Sequence, residues 1–113
     1  MARRTTPITQ FEVEEEITRQ GQELLAATEA FEEAIVLAAN LEHAYRLKKA
    51  KVYLRSTGTG DERKAKVDFE CEREMLAYKV QQAVVSATRE RLTTFRAHIE
   101  WLRTLSANVR AQT

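Results

Sequence analysis

A chain of 113 residues supports one domain. Its 18 Lys and Arg against 17 Asp and Glu leave a formal charge of +1, so overall charge selects neither a polyanionic nor a polycationic partner. Three glycines, one proline and a single cysteine argue against a loop-rich fold and exclude an internal disulfide.

Ala, Glu, Arg, Leu and Lys dominate, all of them good helix formers, and an all-α fold is expected. The lone Cys71 points to a reducing, cytoplasmic setting. No apolar run approaches the roughly 20 residues that cross a bilayer, so no membrane partner is expected. The opening Met1-Ala2-Arg3-Arg4-Thr5-Thr6-Pro7 lacks the apolar stretch of a signal peptide.

In chain order, residues 1–8 read as a flexible arm. Thr9 and Glu12 form a Thr-x-x-Glu capping box, and a short helix is expected over 9–20. Gly21, about 1 kcal/mol worse than alanine inside a helix, is the expected kink or break. A second helix is expected over 22–56. In it Leu24, Phe31, Ala38, Tyr45 and Val52 recur every seventh residue, with Ala27, Ala34 and Leu41 three positions behind. That is an a/d seam for packing on another helix, and Lys48 interrupts it. Residues 57–60 form the expected turn. Asp61 is the expected cap of a long helix over 61–110, which contains neither Gly nor Pro.

Along that helix Phe69, Leu76, Val80, Ala83 and Ala87 make one apolar stripe, and Leu92, Phe95, Ile99, Leu102 and Val109 make another. The phase change between them predicts a bend or a change of partner over residues 86–91. The expected architecture is a long antiparallel helical hairpin with a short N-terminal helix, assembled into an oligomer. The last helix outruns its neighbour. The N-terminal helix is one cover for the overhang, and self-association is the simpler one. Leu92, Phe95, Ile99, Trp101, Leu102 and Val109 are therefore the expected oligomer interface.

Charge is strongly segregated. Residues 11–45 carry nine acids and one base, whereas 46–66 carry eight bases and two acids. The basic stretch straddles the turn, which brings its side chains to one tip of the hairpin. Lys48, Lys49, Lys51, Arg55, Arg63, Lys64 and Lys66 are the candidate phosphate contacts, with Tyr53 as the candidate stacking platform. Tyr45 sits at a seam position and reads as core. The plain alternative is a solvated helix face whose cations suit the helix C-terminus.

Lys49-Ala50-Lys51-Val52-Tyr53-Leu54-Arg55-Ser56-Thr57-Gly58-Thr59-Gly60-Asp61 resembles the single-stranded-DNA-binding stretch of UvsY-type recombination mediators of tailed phages. Lys49-Ala50-Lys51-Val52 matches the family's opening and Gly58-Thr59-Gly60-Asp61 its turn. The chain departs from the family at Tyr53-Leu54-Arg55, where adjacent aromatics are usual, and inserts Thr57. The resemblance implies a homo-oligomer, ring-like in that family. It further implies binding to single-stranded DNA and loading of a RecA-like recombinase onto strands covered by single-strand-binding protein, in an infected cell.

No catalytic, metal or cofactor constellation is read. Gly58-Thr59-Gly60 is followed by no Lys-Ser/Thr and is not a P-loop. His43 and His98 stand alone, and Cys71 lies among acids that disfavour its thiolate. The leading expectation is a non-catalytic recombination mediator. The rivals are a coiled-coil scaffold without nucleic-acid binding, and a helical chaperone or inhibitor whose acidic helix holds a basic partner.

Overall fold

The computed structural model describes residues 8–112 and, among them, contains helices and no strands. Helix α1 spans Gln10–Arg55, α2 spans Gly60–Glu70 and α3 spans Glu72–Gln112. The expected arm lies outside the described residues except for Ile8. No helix is long and apolar enough to cross a membrane among the described residues.

The capping box at the start of α1 is complete. The Glu12 amide donates to Thr9 Oγ1 at 3.2 Å, and the Thr9 amide donates to Glu12 Oε2 at 3.2 Å. Gly21 does not break the helix. The expected helices over 9–20 and 22–56 are one element, because Gln20 and Ala27 are buried on either side of the glycine and packing outweighs its propensity cost.

The chain divides into two compact units, Met1–Glu29 with Arg89–Thr113, and Ala30–Thr88. In the first, the start of α1 lies antiparallel to the end of α3. The Gln10 side-chain amide donates to Ser106 Oγ at 2.7 Å. Val13, Gln20 and Ala27 are buried on α1, and Leu92, Ile99, Leu102 and Ser106 on α3. The first unit thus corrects the expected interface. Leu92, Ile99 and Leu102 are buried within this chain and are not free for a second copy. Phe95 and Val109 are half-buried, and Trp101 alone of the six is solvent-facing, at 58 % exposure.

In the second unit the rest of α1 packs on α2 and the start of α3. Val52, Val67 and Cys71 form its buried cluster, with Tyr45 against them. Tyr45 and Tyr78 stack with ring centroids 6.3 Å apart. The long helix expected over 61–110 is interrupted at Cys71, and the division between the two units falls between Thr88 and Arg89, inside the stretch where a bend or a change of partner was expected. Cys71 takes φ −103° and ψ 9°. Its amide still donates to the Val67 carbonyl at 2.9 Å, and its own carbonyl accepts from the Met75 amide at 2.9 Å.

Beyond Cys71 the inward-facing line does not change phase. Cys71, Tyr78, Val85, Leu92, Ile99 and Ser106 recur every seven residues, each buried or half-buried. Glu74, Gln81 and Thr88 are half-buried four residues before the next member of that line. The Gln81 side-chain amide donates to the Ala34 carbonyl at 3.1 Å. The stripe of Phe69, Leu76, Val80, Ala83 and Ala87 is exposed, on the side away from the core.

Candidate nucleic-acid interface

The tip of the second unit is shaped by three residues. Gly58 has φ +109°, a conformation only glycine adopts without strain, and a Cβ there would run into the Glu62 carboxylate. Thr59, not Asp61, is the N-cap of α2, its hydroxyl accepting from the Glu62 amide at 3.2 Å. The threonine sits in extended backbone at φ −70° and ψ 168°, which aims its hydroxyl at the first turn. Ser56 is buried, its hydroxyl donating to the Val52 carbonyl.

The expected cations divide into two sets. Lys48 Nζ lies 2.7 Å from Glu74 Oε1, and Arg55 Nη2 lies 2.6 Å from Glu70 Oε2. Arg63 donates from Nη2 to the Tyr53 carbonyl at 2.7 Å, and its guanidinium carbon lies 4.0 Å from the Tyr53 ring centroid. These three, all candidate phosphate contacts, tie α1 to α2 and α3. The acids that bind Lys48 and Arg55 come from residues 67–74, the short acidic run just past the basic one. One face of Tyr53 is covered by Arg63, which limits stacking to the other.

Lys49, Tyr53 and Lys64 do come together. With Arg46, Ala50, Val67 and Asp68 they line a groove of about 440 Å³ between α1 and α2. Tyr53 is 38 % exposed there. Arg46 also reaches Glu42 at 2.6 Å, and Lys49 Nζ sits 5.6 Å from the Tyr45 ring centroid. Lys51 and Lys66 are exposed but stand two positions from Lys49 and Lys64, about 200° away around their helices, so they face away from the groove. Among the described residues Lys49, Lys51, Lys64 and Lys66 form no ion pair.

No family model, curated protein or solved structure matches the chain.

Two titrating groups bear on the tip. The hydrogen bond from Lys48 holds the Glu74 carboxyl below its usual range. Burial pushes the Cys71 thiol up, so it is a packed side chain with little thiolate. Sequence reasoning missed Arg46 as a groove residue. The signal was available, since Arg46, Lys49 and Tyr53 follow i, i+3, i+7 spacing on α1.

Proposed function

We propose that this chain is a non-catalytic protein that binds single-stranded DNA through the α1–α2 groove. As its resemblance to UvsY-type mediators implies, it then helps to load a RecA-like recombinase onto strands covered by single-strand-binding protein. The observation that carries the reading is the groove itself, where the cations of Arg46, Lys49 and Lys64 surround an apolar floor of Ala50 and Val67 beside the Tyr53 ring. Cations alternating with an aromatic face suit a strand whose phosphates and unstacked bases are both accessible. Duplex DNA offers phosphates alone to such a groove, which favours the single strand.

Fluorescence anisotropy with labelled oligo-dT tests this across a salt series. Three phosphate contacts correspond to a slope of about −2 in log K against log salt. Lys49→Glu and Lys64→Glu should each weaken binding strongly, and Tyr53→Ala by about 1–3 kcal/mol. Lys51→Glu and Lys66→Glu, on the far sides of their helices, should do much less. Absence of binding at low salt, or equal losses from all four lysine reversals, overturns the reading. The first result would favour the coiled-coil scaffold.

A further inference from the structure

The α1–α2 groove holds one carboxylate among its cations. Asp68 lines it together with Arg46, Lys49 and Lys64. Its neighbours Glu70 and Glu74 are engaged by Arg55 and Lys48. Asp68 is exposed and, among the described residues, forms no ion pair, although Lys64 stands one helical turn before it. Its oxygens stay open to a donor from outside the chain.

A phosphate is not that donor, because like charges repel. A base edge is, because an ionised carboxylate accepts at both oxygens and donates at neither. The bases differ in what they offer it. Thymine has a single N3–H between two carbonyl acceptors. Cytosine and adenine each set an amino donor beside a ring-nitrogen acceptor. Guanine alone places two donors, N1–H and N2–H, side by side, where both oxygens of one carboxylate accept together. The stacking platform is close by. Arg63, the residue before Lys64, has its guanidinium carbon 4.0 Å from the Tyr53 ring centroid, which sets the ring beside the start of α2. Asp68 lines the same groove one turn beyond Lys64, about 6 Å along the helix, a distance that a purine stacked on the ring can bridge with its edge.

We propose that this groove selects guanine within a single strand, Asp68 accepting from N1–H and N2–H of a base stacked on Tyr53. Arg46, Lys49 and Lys64 hold the phosphates on either side. The selection rests on single-strand binding by the groove and adds to it a residue that tells one base from another.

Fluorescence anisotropy of the full chain at low salt tests it, in lithium buffer so that guanine strands stay unpaired. The probes are labelled oligo-dT, a strand of alternating thymine and guanine, and the same strand with hypoxanthine, which lacks the N2 amine, in place of guanine. The guanine strand should bind about tenfold tighter than oligo-dT, with the hypoxanthine strand between them. Asp68→Asn should bring the three strands close to parity, tightening oligo-dT as it weakens the guanine strand. A merely structural Asp68 would shift all three affinities together and leave their ratios alone. Equal binding of the thymine and guanine strands by the unaltered chain, or a preference kept by Asp68→Asn, overturns the selection. If Lys64→Glu still weakens binding in either case, single-strand binding by the groove survives that failure. Absence of binding to every strand ends both.

Discussion

Gly58 and Gly21 are the same residue type under opposite constraints. At Gly58 the backbone has φ +109° and the Glu62 side chain fills the space a Cβ would need. Gly58→Ala should therefore destabilise the chain by about 1–2 kcal/mol, read as a lowered urea midpoint at unchanged m-value. Part of the clash is relieved by swinging the flexible Glu62 carboxylate aside, which leaves backbone strain as the main cost. Because the Glu62 amide also donates to the Thr59 hydroxyl that caps α2, the loss should appear as fraying at the start of α2, in faster amide exchange over its first turn.

At the scale of the element, α1 runs through Gly21 although its sequence invites a stop. A Cβ at Gly21 would meet nothing within 4 Å, and the residue is exposed in a helical conformation. Gly21→Ala should stabilise by up to about 1 kcal/mol, raising the melting temperature with no change in helix count. A loss of stability would mean that the glycine's freedom is used in a state other than this one. The seam of α1 was legible because Leu24, Phe31, Tyr45 and Val52 are apolar at every seventh position. That of α3 was not, for a physical reason. Glu74, Gln81 and Thr88 occupy inward positions, while Phe69, Leu76 and Val80 face out, so in this half the outer side is the more apolar of the two. Periodicity alone assigns the greasier side to the core and here assigns it wrongly. The division of the basic cluster was hidden for a related reason. Which cations meet Glu70 and Glu74 depends on how α1 lies against the start of α3, and that is a tertiary quantity.

Across the whole molecule, polar contacts between α1 and α3 fix how the two helices are aligned. Gln10 with Ser106 does so in one unit, and Lys48 with Glu74 and Gln81 with the Ala34 carbonyl in the other. Such contacts add specificity more than energy. Replacing Lys48 and Glu74 together by leucine should leave stability little changed, because the pair is open to solvent. The double variant should also show extra sets of amide resonances, from hairpins aligned in more than one way. A single set would mean that the apolar seam and the Gly58 turn suffice for alignment.

These cross-links bear on how the molecule can move. A glide of one helix past the other by a single heptad would part Lys48 from Glu74 by about 10 Å, and the same displacement would strand Gln10 away from Ser106. Piston-like travel within either unit is therefore opposed, since it would break these contacts before any new ones form.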